Sequence, residues 1–173
     1  MTNTPPTPPT EKSAPIEQIV QQRREKKDRL IAQGKTPYGH RFQRSMLLAE
    51  IVSKFDPKIP KTPEAAGAVD PEEVQIAGRL MTRRDLGKLS FAHIKDHSGT
   101  LQLKVSKQDV GDETYKEFAK EVDLGDVLGL TGNMCRTRTG ELTLQIKSFE
   151  ILSKSLRPAV FIVSRVPRFT LAV

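Results

Sequence analysis

Between Glu73 and Lys154 the chain alternates apolar and polar positions in short runs, the two-residue period of strands with one buried face. The pattern predicts strand one over about 73–83, with Val74, Ile76 and Leu80 inward and Gly78 in phase. Strand two covers about 89–95 and strand three about 101–106, joined by a Ser-Gly turn; strands four and five cover about 127–136 and 141–152. "GDETYKEFAKEVDLGD" (111–126) carries a helix with Tyr115, Phe118 and Val122 on one side. In strand five Leu142, Leu144 and Ile146 are in phase and Phe149 and Ile151 are out of it, which predicts a bulge or bend near Ser148.

Three strands, a helix and two strands match the OB-fold, a five-stranded, partly open barrel. The fold class expected is an all-β core with added helices, and a small SH3-like barrel is the alternative. Ahead of it, "IEQIVQQRREKKDRLIAQ" (16–33) reads as a helix, with Pro15 at its start and Gly34 placed to close it. Ile16, Ile19, Val20, Leu30 and Ile31 lie near one stripe, which Arg23 and Lys27 interrupt. "GKTPYGHRF" (34–42) is a loop, 45–55 a short helix with Ser45 as candidate N-cap, and 56–73 a Pro-rich linker. The expected organisation is a disordered Pro/Thr-rich arm (1–15), a helical extension with linker (16–72), the barrel (73–154) and an atypical tail (155–173).

Composition adds a partner class. The formal charge of +7 points to a polyanion such as nucleic acid or an anionic membrane surface, and equally suits a soluble protein with a basic face. Hydrophobic residues make up 36%, so part of the chain is expected to stay unpacked. Cys135 is the only cysteine, which excludes an intrachain disulfide and fits a reducing, cytoplasmic compartment. Neither a secretory signal nor a membrane-spanning run is visible.

The alternation singles out a ligand face. If Leu101, Leu103, Val105, Ala92 and Ile94 face the core, then Phe91 and His93 face outward beside Gln102 and Lys104. An exposed aromatic on strands two and three of an OB-fold can stack an unpaired base, and Gln102 offers a donor and an acceptor to a base edge. The reversed phase, with Phe91 in the core, stays open. Arg83 and Arg84 are placed in the loop entering strand two, where a guanidinium can clamp a phosphate or a base. In "RTRTGEL" (136–142), Arg136 and Arg138 alternate onto one face; Glu141 either reads a base or forms a salt bridge with a nearby arginine. Arg23 and Arg24 belong to a helix face that is either solvated or a contact surface for phosphates. Enzyme chemistry is thin. His40, His93 and His97 lack metal-site spacing, Cys135 has no evident activating base, and phosphate-loop and nucleophile-elbow motifs are absent.

The segments "QQRREKKDRLIAQGKTPYGHRF", "EEVQIAGRLMTRRDLGKLSFAHIKDHSGTLQLKV" and "DLGDVLGLTGNMCRTRTGELTLQIKSFEILSKSLRP" resemble the N-terminal, anticodon-binding region of class II lysyl-tRNA synthetases, from about Ile16 to Pro158. The resemblance implies binding of the tRNA(Lys) anticodon loop. Phe91 would stack on the central uracil, Gln102 would hydrogen-bond it, Arg84 would hold that base or its phosphate, and Glu141 would help read a neighbour. The basic helix with Arg23 and Arg24 would add tRNA contacts. ATP, lysine and magnesium belong, by the same resemblance, to a catalytic domain whose three motifs are absent here, so no cofactor and no charging activity is expected of this chain alone. A full-length synthetase subunit is a candidate partner. The alternatives are an accessory subunit of a separate synthetase chain and a general single-strand-binding OB-fold protein. After Pro158 the text turns to "AVFIVSRVPRFTLAV", which has no acidic residue and suggests a frameshifted or rearranged end.

Overall fold

The computed structural model describes residues 15–39, 41–62 and 67–158. The elements in chain order are α1 (Ile16–Ala32), α2 (Leu48–Phe55), β1 (Val69–Asp85), β2 (Leu89–Lys95), β3 (Thr100–Ser106), α3 (Lys107–Val110), α4 (Asp112–Glu121), β4 (Val127–Arg136) and β5 (Leu142–Ser153). The strands close into a barrel in the order β1-β2-β3-β5-β4, with β4 pairing back onto β1; only the β3–β5 contact is parallel. This is the OB-fold arrangement the alternation predicts.

Closure depends on β1 being long enough to serve two neighbours. Its first half pairs with β4 (Glu73↔Asn133 to Arg79↔Val127), and its second half pairs with β2 (Arg79↔Lys95 to Asp85↔Ser90). The crossover sits at Gly78, where a Cβ would lie 2.7 Å from Ile94 Cγ1 and 2.8 Å from the Lys95 carbonyl, so no side chain fits. On β5 the predicted phase slip is a bulge: Thr131 pairs with Ser148 and Gly132 with Ile146, leaving Lys147 as the extra residue.

The inward set is the one the period-two pattern selects. Val74, Ile76, Leu80, Ala92, Ile94, Leu101, Leu103, Val105, Leu144 and Ile146 are all buried. One end of the barrel is plugged by Tyr115, Phe118 and Val122 from α4 and its C-terminal end, with Phe118 edge-on to Phe149 at 5.2 Å. α2 adds Leu48, Ile51 and Phe55 to the same core, and its first backbone amides are capped from the β2–β3 turn: Leu48 N donates to Asp96 Oδ2 (3.1 Å) and Ala49 N to Ser98 Oγ (3.0 Å).

Several boundaries differ from expectation. Ser45 does not cap α2; its hydroxyl donates to the Gln75 carbonyl, and Glu50 instead accepts from Leu47 N at 2.6 Å. β1 starts inside the expected linker, at Val69, because Val69 finds Cys135 across the barrel, and the register shift before Glu73 absorbs exposed Pro71. At its other end β1 runs on to Asp85, so Arg83 and Arg84 are strand residues rather than loop residues. The "GKTPYGHRF" segment straps the end of β5. Lys154 N donates to the Pro37 carbonyl and Gly39 N to the Leu152 carbonyl, and Phe42 packs on Gly129. His40, the arm 1–14 and the tail 159–173 lie outside the described residues.

Along α1, Ile19 and Leu30 are buried, whereas Ile16 and Ile31 are exposed, so the apolar stripe docks the helix only in part. Ions supply the rest. Lys26 pairs with Asp123, Arg29 with Glu121 and Lys35 with Glu117. The Arg23 guanidinium, 2% exposed, donates to the carbonyls of Ser155 (2.9 Å) and Arg157 (3.1 Å). Beneath it Lys154 is fully buried and donates to Asp123 Oδ2 (2.5 Å), Asp126 Oδ2 (2.6 Å) and the Glu121 carbonyl (2.6 Å).

Candidate nucleic-acid interface

The outer wall of β1, β2, β3 and β5 carries two cross-strand rows. In one, Arg84 faces Phe91, Phe91 faces Lys104 and Lys104 faces Gln145; in the other, Thr82 faces His93, His93 faces Gln102 and Gln102 faces Thr143. Phe91 is half-buried on this wall while Ala92 and Ile94 are 1% and 0% exposed inside, which removes the reversed phase. The wall floors an open groove of about 930 Å³ whose far rim is the 136–139 turn.

Gln102 is held in one orientation. Thr143, fully buried, donates its hydroxyl to Gln102 Oε1 at 2.7 Å, and Gln102 Nε2 donates to Glu141 Oε2 at 2.6 Å. That leaves one amide N–H and one lone pair of Oε1 for a ligand. Glu141, about half exposed, has its other oxygen 3.5 Å from His93 Nε2, and His93 Nδ1 contacts the Thr82 hydroxyl at 2.9 Å. No arginine pairs with Glu141 among the described residues, so the salt-bridge alternative gives way to an amide and imidazole setting. The carboxylate stands at the head of β5 because a tight turn puts it there. Gly140, with φ +80, donates to the Thr137 carbonyl, and the Thr137 hydroxyl accepts from Glu141 N.

The arginines divide. Arg84 and Arg138 are exposed on the groove and make no hydrogen bond or ion pair among the described residues. Arg83 turns away: it caps the end of α4 through the Val122 carbonyl (2.8 Å) and pairs with Asp85. Arg136 corrects the expectation of a cation on the binding face. It is 2% exposed, with Nε on the Ile59 carbonyl (2.8 Å), Nη1 on the Gly140 carbonyl (3.1 Å) and Nη2 on the carbonyl (2.9 Å) and carboxylate (2.7 Å) of Asp56. Two-residue alternation ends with Arg136 at the last position of β4, so Arg138 does not share its face. Arg23 is likewise interior, spent on the segment leaving β5, whereas Arg24 stays exposed on α1.

Thr143 and Thr82 are the residues that sequence reasoning missed. β2 alternation puts His93 beside Phe91, but the parallel β3–β5 pairing that brings Thr143 under Gln102 is nonlocal and leaves no periodic signal. Cys135 is buried, and burial raises its thiol above the usual range, against the pull of Lys104. No described helix is long and apolar enough to cross a membrane.

Comparison with known proteins fits this wall. Residues 74–152 match the family described as an OB-fold nucleic acid binding domain. The chain is 42% identical over 146 residues to the lysine--tRNA ligase of Oceanobacillus iheyensis, covering 84% of this chain and 29% of that protein. It is 46% identical over 139 residues to the one of Staphylococcus epidermidis (80% and 28%), and 41% identical over 143 residues to that of Carboxydothermus hydrogenoformans (83% and 27%). The chain thus spans less than a third of the length of the curated relatives it matches.

Proposed function

We propose, from the premise that this chain carries the anticodon-binding OB-fold domain of lysine--tRNA ligase homologues, that the outer wall binds a tRNA anticodon loop and reads uracil in it. The observation that carries the reading is the half-buried ring of Phe91 beside the fixed Gln102–Glu141 pair. A splayed base stacks on the ring with Arg84 on one side and Lys104 on the other. Uracil offers a ring N–H between two carbonyls. The carboxylate of Glu141 accepts from the N–H, and the spare amide proton of Gln102 reaches a carbonyl. Cytosine turns a lone pair toward the same carboxylate and is repelled. Arg84 and Arg138, without a partner among the described residues, take the flanking phosphates. The reading is confined to recognition; ligation of lysine is assigned to no residue here.

Titrating the chain with a UUU anticodon stem-loop and with the same loop carrying cytosine at the centre tests it. The expected outcome is binding at least about tenfold weaker for the cytosine loop. Equal affinity for both, with a steep salt dependence, would make the chain a general single-strand binder and end the proposal.

A further inference from the structure

The buried guanidinium of Arg136 joins two segments, the distant stretch Asp56–Ile59 and the neighbouring turn at Gly140. It holds the end of α2 and the turn after it through Asp56 and Ile59, and it holds the β4–β5 turn through the Gly140 carbonyl. Four of its five N–H donors are engaged, so it has little left for a ligand. Gly140 immediately precedes Glu141, and the other main-chain and hydroxyl bonds of that turn are local: Thr137 N to the Glu141 carbonyl (3.0 Å), Gly140 N to the Thr137 carbonyl (2.9 Å), Glu141 N to the Thr137 hydroxyl (3.1 Å), and the two threonine hydroxyls together; beyond them the Glu141 carboxylate accepts from Gln102 Nε2 (2.6 Å). Local bonds set the shape of a turn. They do not set its angle to the barrel, and the angle decides where the Glu141 carboxylate stands relative to Gln102 and Phe91.

We infer that Arg136 is a positioning residue for base reading: by anchoring the Gly140 carbonyl to α2 it holds the Glu141 carboxylate at the groove without touching RNA. The inference rests on the uracil-reading role proposed above for Glu141. Its geometry has a further consequence. Asp56 is the acidic partner of Arg136, and it is partly exposed outside the groove, with Lys61 also on it. The arginine bond, followed by Lys61, holds the Asp56 carboxyl below its ordinary range, which is what a working anchor requires. Among the contacts of Asp56, the one that leads to the β4–β5 turn is Arg136.

The test uses the full chain and the variants Arg136→Lys and Asp56→Asn. Arg136→Lys keeps a buried cation beside Asp56 but cannot bond the Gly140 and Ile59 carbonyls together with it. Its preference for the UUU loop over the cytosine-centred loop should fall about tenfold, through weaker cognate binding. Affinity for the mismatched loop and the slope of log affinity against log salt should stay as in the parent, because no phosphate contact is lost. Asp56→Asn should shift the preference in the same direction by a smaller factor. In the RNA-free protein, both variants should move the amide resonances of Thr137, Gly140 and Glu141 while leaving those of β2 in place.

An unchanged preference in folded Arg136→Lys overturns the inference. So does an equal loss for both loops with a shallower salt slope, which would make Arg136 a phosphate contact. If Arg136→Lys does not fold, Asp56→Asn decides, and an unchanged preference there overturns the inference. Should the parent chain itself show no preference between loops, the uracil reading fails. The amide shifts then still decide whether Arg136 sets the turn.

Discussion

Replacing Phe91 by Ala isolates the base-stacking step from everything else the barrel does. The ring lies on the outer wall, between Arg84 and Lys104 across the strands, and it is not part of the buried cluster that fills the barrel. Its loss removes the stacking platform, worth about 1–3 kcal/mol per base, which is about a 5- to 150-fold rise in Kd for the anticodon stem-loop. The folding cost should be smaller than that of a core ring. A fully buried phenylalanine costs about 3–5 kcal/mol when cut to alanine, and Phe91 is only partly covered and sits outside the buried core cluster. About 1–2 kcal/mol of stability, read from the urea midpoint, is the expected loss. Phe118→Ala, which empties the plug of the barrel where the ring is 0% exposed, is the contrast and should cost the full core value. The salt slope of RNA binding should not move, because a phenyl ring neutralises no phosphate. If Phe91→Ala destabilises the chain as much as Phe118→Ala, or binds the stem-loop as tightly as the parent, the stacking argument is refuted.

Removing the exposed guanidinium of the groove, Arg84→Gln, should weaken binding to all loops alike and flatten the slope of log affinity against log salt by about 0.7, one single-strand phosphate contact; an unchanged slope measured over a salt series would show that Arg84 does not meet phosphate. Lys154→Met takes the cation away from Asp123 and Asp126 in a site where all three are buried, and it should cost about 3–5 kcal/mol by urea unfolding. In that variant burial raises the carboxyls of Asp123 and Asp126 above their unfolded values. Their neutral forms then stabilise the fold at low pH, and that contribution is lost as pH rises through the folded pKa. The variant should therefore gain more stability than the parent as pH falls from 7 toward 5: in the parent Lys154 and Lys26 outweigh burial at Asp123 and hold its carboxyl below the ordinary range, while burial already holds that of Asp126 above it. A gain no larger in the variant than in the parent would mean that Lys154 does not control this pair.

Much of the barrel was legible because one face of each strand is buried. The period of two favours one core side for β2 and β3 when Ala92, Ile94, Leu101, Leu103 and Val105 are taken together, and it left the reversed phase of β2 open until burial placed Phe91 outside. The slip in β5 was visible because a bulge changes which residues are in phase. Strand ends were less legible. Val69 and Asp85 are polar or exposed positions of β1; Val69 is drawn into the sheet by Cys135, far along the chain, and Asp85 by Ser90 across the β1–β2 hairpin, the Ser90 hydroxyl donating to its carboxylate.

Charge was the least legible property, since a residue's type fixes its sign but not what it faces. The cluster Arg23, Lys26 and Arg29 reads in sequence as a solvated helix face or a surface for phosphates. In the fold it meets Glu121, Asp123 and two backbone carbonyls near Pro158, roughly a hundred residues downstream, and becomes the clamp between α1 and the barrel. Arg136 follows the same logic at the other end of β4, where Asp56 and three carbonyls absorb it. Cations left to attract a polyanion include Arg84 and Arg138 on the groove, Arg24 on α1, Arg41 and Arg44 ahead of α2, and Lys88, Lys95 and Arg157, none with an ion pair among the described residues. The net charge of +7 thus overstates the basic patch on the groove itself, where Arg84 and Arg138, without partners among the described residues, accompany one aromatic ring. With so few charges there, discrimination between loops has to come from the Gln102–Glu141 pair, and for that pair the neutral scaffold of Thr143 and the Gly140 turn matters more than the surface charge.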